Sequence, residues 1–121
     1  MISIVVPNYN GYELLQKNVP LVVKACEKYH RLTSERCQFV VVDDCSKDES
    51  VDLLLKMREE FEHLEYLDFH VMIREKNGGF SAAMNSGIAA SRGRYILSLN
   101  SDVAVSEDFL KPLVDGFSEG V

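Results

Sequence analysis

Residues 39–44 constrain the fold more than any other stretch, because four apolar residues in succession end on the adjacent carboxylates Asp43 and Asp44. An uninterrupted run of this kind is typical of a strand that is buried on both faces of a sheet. Ser46 and Glu49 follow in the Ser-x-x-Glu pattern that caps a helix. The stretch therefore predicts a central strand, a helix that begins near Ser46, and an acidic strand end of the kind at which open α/β sheets bind ligands.

The same order, an apolar strand and then a polar turn, occurs three more times. Strands are predicted at 2–7, within 66–73 and at 95–99, and helices at 12–30, 46–62, 80–90 and from Ser106 onward. Pro20 is expected to bend or restart the first helix, because it lacks a backbone donor. The small residues of the third helix let it lie close to the sheet, and the Met and Phe positions of the helices are expected in the core. The alternation predicts an open, mainly parallel sheet with helices on both faces.

Bulk properties exclude several classes of protein. The 121 residues carry a net charge of −6 without a basic stripe, which argues against a nucleic-acid partner. No apolar run approaches the roughly 20 residues that span a bilayer. The first residues lack a basic leader and a cleavage site, so no signal peptide is expected. The three cysteines have no metal-binding spacing, which favours reduced thiols in a cytoplasmic protein. The length of the chain fits one domain, or a piece of a larger one.

Polar clusters follow all four predicted strands. They are Asn8-Tyr9-Asn10, Asp43-Asp44, residues 74–79 and Asn100-Ser101-Asp102. In a parallel sheet the carboxyl ends of the strands lie along one edge, so these clusters are expected to converge there. The sequence therefore predicts one binding site rather than four separate turns.

Each cluster also has a purely structural interpretation. Asp102 follows two residues with oxygen donors and suits Mg²⁺ or Mn²⁺ completed by ligand phosphates and water, but aspartate also caps turns. Asp43 and Asp44 either bond a base or ribose or cap the helix that begins near Ser46. Of the two, Asp44 is better placed to reach outward. Asn77-Gly78-Gly79 is either a turn or a close approach of backbone to ligand, and Arg74 is expected to be a solvated surface charge.

Four motifs together resemble the family 2 glycosyltransferases of the GT-A fold. They are IVVPNYN at 4–10, VVVDDCS at 40–46, NGGFSAAMNSG at 77–87 and LSLNSD at 97–102. Each motif alone is weak, but four in this order and at family-like separations are specific, and they cover nearly the whole chain. The resemblance implies a glycosyltransferase of polysaccharide biosynthesis, which transfers a sugar from a nucleotide-diphospho-sugar donor to a saccharide or lipid-linked saccharide acceptor.

The resemblance also implies roles for particular residues. Pro7, Asn8 and Tyr9 contact the nucleoside, and Asp44 reaches its base with Asp43 in support. Asn77 and Gly78 lie near the nucleotide and sugar. The D-x-D element that holds metal and diphosphate corresponds to Asn100-Ser101-Asp102. Asn100 occupies the first acidic position of that element, so Asp102 is the one charged ligand for Mg²⁺ or Mn²⁺. The implied chemistry is inverting transfer with a carboxylate base.

The family's acceptor site and catalytic carboxylate lie in a later part of the domain. We therefore expect residues 1–121 to be the nucleotide-sugar-binding half, with the catalytic base beyond Val121 and no catalytic residue in this chain. The full-length protein is expected to be cytoplasmic or peripheral to a membrane. One alternative is a receiver-like signalling module. Such a module requires an aspartate after the third strand and a lysine at the end of a fifth strand, and this sequence offers neither. A second is a non-catalytic nucleotide-binding or assembly module, for the case that 121 residues is the natural length. If the chain is instead a truncated enzyme, the surface exposed by truncation can form a homo-oligomer.

Overall fold

The computed structural model describes residues 1–118 and has the predicted alternation of strands and helices. In chain order the elements are β1 (Ile2–Asn8), α1 (Tyr12–Thr33), β2 (Cys37–Asp43), α2 (Ser50–Phe61), β3 (Leu67–Ile73), α3 (Gly79–Ala90), β4 (Tyr95–Ser98) and α4 (Leu110–Ser118). All four predicted strands are confirmed. Within the described residues, no helix is both long enough and apolar enough to cross a membrane.

The four strands form one parallel sheet in the order β3-β2-β1-β4. β1 and β2 occupy its centre and are buried along their whole length, as the uninterrupted apolar run of β2 predicts. The chain moves outward from β1 to β3 and then returns to the other side of β1 with β4. The carboxyl ends of β1 and β4 therefore lie side by side where the strand order reverses, which is where open α/β sheets bind ligands.

Helices cover both faces of the sheet, which confirms the predicted fold class. On one face, Leu15 of α1, Leu54 of α2 and Leu110 of α4 share a core with strand residues, among them Ile4 and Phe39. On the other face, α3 packs Ala83 and Met84 against Val5, Val40 and Val42. Gly87 accounts for the close approach of α3, because a Cβ atom at this position would lie only 2.3 Å from Val5 Cγ1.

The predicted start of α2 near Ser46 is wrong. The helix begins at Ser50, and Glu49 before it makes no side-chain capping bond. Ser46 does not cap the helix because its hydroxyl donates to Asp43 Oδ1 at 2.6 Å and its amide donates to Asp43 Oδ2 at 2.8 Å. The buried Asp43 carboxylate needs such donors, so the Ser-x-x-Glu pattern serves a turn at the strand end instead of a helix.

Two further helix predictions need correction. Of the bend or restart predicted at Pro20, the restart is wrong, since α1 runs through Pro20 from Tyr12 to Thr33. Pro20 and Gln16 both lie on the exposed side of α1, so water can hydrate the Gln16 carbonyl that lacks its usual donor. α4 begins at Leu110 rather than at Ser106, because residues 106–109 form a single turn closed by the Phe109 amide on the Ser106 carbonyl.

Candidate functional site

A cavity of about 460 Å³ opens at the carboxyl edge of the sheet. Its lining residues are Pro7, Asn8, Tyr9, Asp44, Asn77, Gly79, Phe80, Ala83, Asn100, Ser101 and Asp102. The structure thus brings residues of all four predicted polar clusters to one place. Asp43 and Gly78, which the sequence also assigns to the site, do not line the cavity and instead support residues that do.

Asp44 forms part of the cavity wall and is only 3% exposed. Its Oδ1 accepts hydrogen bonds from Arg74 Nε at 2.9 Å and from the Gly78 amide at 3.0 Å, and its Oδ2 accepts one from the Gly79 amide at 2.8 Å. Burial acts to raise the pKa of the Asp44 carboxyl, but the two amides and the Arg74 guanidinium outweigh it and hold the pKa below its usual value. Asp44 is therefore an ionised anchor for residues 78–79.

The helix that Asp44 caps is α3, not the helix near Ser46 that the sequence suggests. The amides of Gly78 and Gly79 are the first donors of α3, and both point at the Asp44 carboxylate. An anion at this end also complements the helix dipole. The reason is topological, since β3 pairs with β2 and the loop after β3 therefore passes over the end of β2.

Arg74 is not the solvated surface charge that the sequence suggests. Its side chain is 27% exposed, and besides Asp44 it binds α3, with Nη1 donating to Ser86 Oγ at 2.6 Å and to the Ala82 carbonyl at 3.3 Å. A Cβ atom on Gly78 would lie 2.6 Å from Arg74 Nη2 and 2.9 Å from the Ala82 Cβ atom. The guanidinium thus connects β2, the end of β3 and α3, and Gly78 leaves the room that it needs.

Asp43 joins the ends of the two central strands. Its side chain is fully buried, and its Oδ1 accepts hydrogen bonds from Asn8 Nδ2 at 3.0 Å and from the Ser46 hydroxyl. The Asp44 amide in turn donates to the Asn8 carbonyl at 2.8 Å. These bonds fix the position of Asn8 beside Asp44, so Asp43 acts on the cavity through its neighbours.

A second set of hydrogen bonds holds the loop that carries Tyr9. Asn10 adopts a positive φ of 52°, and its Oδ1 accepts a bond from the Lys47 amide at 2.7 Å. Asp48 accepts bonds from the Tyr12 amide at 3.1 Å and the Ser50 amide at 2.9 Å, and so joins the starts of α1 and α2. Burial acts to raise the pKa of Asp48, but these donors lower it overall. Tyr9 remains 47% exposed on this fixed loop.

The loop after β4 offers oxygen donors that suit a hard divalent cation. Asn100, Ser101 and Asp102 line the cavity, and both Asn100 and Asp102 are exposed. Within residues 1–118, no three His, Cys, Asp or Glu side chains converge as a complete metal site. Mg²⁺ is commonly held by one or two carboxylates, with phosphate oxygens and water completing its shell. The donor set around Asp102 fits that mode of binding.

Sequence reasoning assigned no site role to Phe80 and Ala83, which line the cavity, or to Arg74 and Asp48, which support it. Of the glycine pair it assigned Gly78, whereas Gly79 lines the cavity. Phe80 was expected in the core but is 58% exposed at the cavity. Its position supplies a signal that its residue type does not: it is the second residue of α3, directly beside the strand ends. The sequence signal for Gly79 is the glycine pair itself, because glycine adopts the observed φ of +87° without strain.

Several known proteins are similar to this chain in sequence and in fold. The chain is 26% identical over 119 residues to the putative teichuronic acid biosynthesis glycosyltransferase TuaG of Bacillus subtilis strain 168, covering 98% of this chain and 42% of TuaG. It superposes on the crystal structure of S. aureus TarS 1–349 with a TM-score of 0.77 at 25% identity, covering 98% of this chain and 32% of that one.

A third protein shares the fold alone. The mannosyltransferase PcManGT of Pyrobaculum calidifontis, solved in complex with GDP-Man and Mn²⁺, aligns with a TM-score of 0.70 at 18% identity, over 85% of this chain and 28% of PcManGT.

The chain thus spans less than half the length of each of these proteins. The family model described as glycosyl transferase family 2 matches residues 3–121. The chain therefore belongs to glycosyl transferase family 2.

Proposed function

We propose that residues 1–121 are the nucleotide-sugar-binding part of a glycosyltransferase that transfers a sugar from a nucleotide-diphospho-sugar to a saccharide or lipid-linked saccharide acceptor. The observation that carries this proposal is the cavity at the switch point of the sheet, where Asp44 and Asp102 line one space of about 460 Å³ from the ends of different strands. A space of this size suits a small ligand, since such sites have volumes of about 300–1,000 Å³.

The nucleoside lies against Pro7, Asn8 and Tyr9 in this proposal. Tyr9 is suited to this role because its exposed ring is presented by a hydrogen-bonded loop, and a flat aromatic surface packs well against a base. Asp44 Oδ2 has one observed donor, the Gly79 amide, so it retains capacity to accept a second hydrogen bond from the base.

The diphosphate and sugar lie between the start of α3 and the loop after β4. Asn77 and Gly78 stand on the α3 side, and Asn100, Ser101 and Asp102 stand on the other. Asp102 would hold Mg²⁺ or Mn²⁺, with oxygens of Asn100 and Ser101 nearby. When bound, such a cation neutralises the diphosphate and stabilises it as a leaving group. A cation is also needed on electrostatic grounds, because the chain itself has a net charge of −6.

The proposed transfer inverts the configuration of the anomeric carbon. The acceptor hydroxyl oxygen bonds to that carbon while the bond from the carbon to the diphosphate oxygen breaks, and the hydroxyl proton passes to a carboxylate base. We assign no residue of this chain as the base. In this proposal the residues described here bind and orient the donor.

The proposed surroundings of the enzyme follow from its donor. Nucleotide-sugar chemistry and three free thiols at Cys26, Cys37 and Cys45 favour the cytoplasm. A lipid-linked acceptor would bring the full protein to a membrane surface. A nucleic-acid partner is not proposed, given the acidic net charge.

Titration calorimetry with UDP, GDP, CDP and dTDP, each with and without Mn²⁺, tests the proposal. We expect at least one nucleoside diphosphate to bind, with an affinity that Mn²⁺ raises roughly tenfold, or about 1.4 kcal/mol. Asp102→Ala is expected to remove this metal effect and to leave the metal-free affinity unchanged, because Asp102 is the charged group of the proposed cation site.

Asp52→Ala is the matched control, since it removes an exposed carboxylate on α2 that does not line the cavity. It should retain the full metal effect. Equal affinities with and without Mn²⁺ in the unmodified chain would argue against the proposed role of Asp102. Failure to bind any nucleotide, together with a stable oligomer in sedimentation, would favour the non-catalytic assembly module instead.

A further inference from the structure

The loop that carries Asp102 has few internal restraints. β4 is a four-residue edge strand that ends at Ser98, and helical structure resumes only at Leu110. Within the described residues, the backbone bonds near its start are those from the Leu99 amide to the Val5 carbonyl at 2.9 Å and from the Val103 amide to the Asn100 carbonyl at 3.1 Å. Neither bond fixes the peptide group that precedes Asp102.

One side chain from α1 supplies that restraint. Asn18 Nδ2 donates a hydrogen bond of 2.8 Å to the Ser101 carbonyl. Since the peptide unit is planar, holding the Ser101 carbonyl also sets the orientation of the amide of Asp102. The bond therefore joins α1 to the peptide group between Ser101 and Asp102.

The surroundings of Asn18 make a general packing role a poor explanation for an amide. Asn18 is 5% exposed and faces an apolar gap lined by Leu15, Val19 and Leu99, among others. Its Oδ1 is buried and has no hydrogen-bond partner within the described residues. An unpaired buried carbonyl costs free energy, so an apolar side chain of the same size would pack here at lower free energy. The feature that only the amide provides is its bond to the Ser101 carbonyl.

The start of α1 also contacts both sides of the cavity. A Cβ atom on Gly11 would lie 2.4 Å from Asn8 Oδ1 and 3.7 Å from Ser101 Oγ. Gly11, the residue before α1, thus lies between the end of β1 and the loop after β4. A restraint from α1 consequently sets the Asp102 loop relative to the proposed nucleoside surface.

We propose that Asn18 is a positioning residue for the cation-binding loop, an inference that rests on the proposed function. It holds the Ser101 carbonyl so that the Asp102 carboxylate is presented to a divalent cation and the diphosphate. Asn18 itself touches neither the cation nor the nucleotide.

The substitution Asn18→Leu tests the proposal, because leucine has nearly the same volume and lacks both the donor and the unpaired oxygen. We expect its midpoint of urea unfolding to equal or exceed that of the unmodified chain. In calorimetry with the best-binding nucleoside diphosphate, we expect the affinity gain from Mn²⁺ to fall about fivefold while the metal-free affinity stays within twofold. A residue with a merely structural role would give the reverse pattern, a lower unfolding midpoint with an unchanged gain from Mn²⁺.

Hydrogen exchange gives a readout that does not depend on nucleotide binding. In Asn18→Leu we expect the Val103 amide to exchange about tenfold faster, while the amides of β1 and β2 are unchanged. If the unmodified chain binds no nucleoside diphosphate, the proposed function fails, and the exchange of Val103 still decides whether Asn18 holds the loop. An unchanged Val103 rate, or an undiminished Mn²⁺ effect in a chain that binds, would overturn the proposal.

Two further variants control for disturbed packing of α1 and for the general effect of replacing a buried amide. Asn18→Ala removes the same donor without adding an apolar side chain. It should show the same loss of the Mn²⁺ effect, which would exclude disturbed packing of α1 by leucine as the cause. Gln38→Leu is the control, since Gln38 is also a buried amide but bonds Ser3 and the Ala90 carbonyl, away from the cavity. It should lower the unfolding midpoint and leave the Val103 exchange rate and the Mn²⁺ effect as they are.

Discussion

Replacement of Asp44 by alanine is expected to lower the free energy of unfolding by about 2–4 kcal/mol, because it leaves the partly buried Arg74 guanidinium without its negatively charged partner. The amides of Gly78 and Gly79 lose their acceptor in the same step. Since these amides begin α3, the wall of the cavity should loosen, and nucleoside diphosphate binding should fall with stability. Urea unfolding and calorimetry on the same variant measure both effects.

Asp68→Ala is a suitable comparison for this substitution. Asp68 pairs with Arg92 and His70, but Arg92 is 61% exposed, so water screens the pair. Exposed pairs of this type contribute about 0–1 kcal/mol. A loss as large in Asp68→Ala as in Asp44→Ala would contradict the view that burial and the two glycine amides make Asp44 important.

The same carboxylate makes a pH-dependent contribution to stability. The folded pKa of Asp44 is depressed, whereas the pKa of an unfolded aspartate is about 3.9. The contribution is therefore fully present above the unfolded pKa and is lost as the pH falls through the folded pKa. The difference in unfolding free energy between the unmodified chain and Asp44→Asn should be constant from pH 7 to pH 5 and should shrink below about pH 4. A difference that grows on acidification would contradict the depressed pKa.

The fold was predictable because its signals are local and repeated. The apolar run at 39–42 identifies a strand buried on both faces, and the alternation with helical segments implies a parallel sheet whose carboxyl ends share one edge. Helix starts were less predictable, because they depend on competition between partners. Ser46 has a pattern suited to a cap, yet the buried Asp43 carboxylate binds both its amide and its hydroxyl.

Contacts between loops explain what the sequence did not reveal about the site. Arg74 lies 30 positions from Asp44 and 12 from Ser86, and only the pairing of β2 with β3 brings the three together. Asn18 lies 83 positions from Ser101, on a helix whose pattern reads as a packing surface. Residues at strand ends were found because topology places them on one edge, whereas the residues that hold them depend on which loop crosses which strand.

Gly87→Ala should destabilise the chain by up to about 3 kcal/mol, although alanine favours a helix, because overpacking a filled interface has that magnitude. The new Cβ atom would lie 2.3 Å from Val5 Cγ1 and 3.0 Å from Val42 Cγ2, both on fully buried side chains of the central strands. Relief requires α3 to move away from the sheet. Because α3 supplies Gly79, Phe80 and Ala83 to the cavity wall, nucleoside diphosphate binding should weaken as well.

Two variants separate this clash from the general effect of removing a glycine. Gly116→Ala lies in α4 with nothing within 4 Å of the added Cβ atom, so it should stabilise the chain by roughly 0.5–1 kcal/mol. Combining Gly87→Ala with Val5→Ala removes the methyl group that is struck, so the double variant should be more stable than the sum of the single losses by about 1 kcal/mol. Strict additivity in urea unfolding would mean that the contact between α3 and β1 does not limit the side chain at position 87, and that the small residues of α3 serve some purpose other than close packing on the sheet.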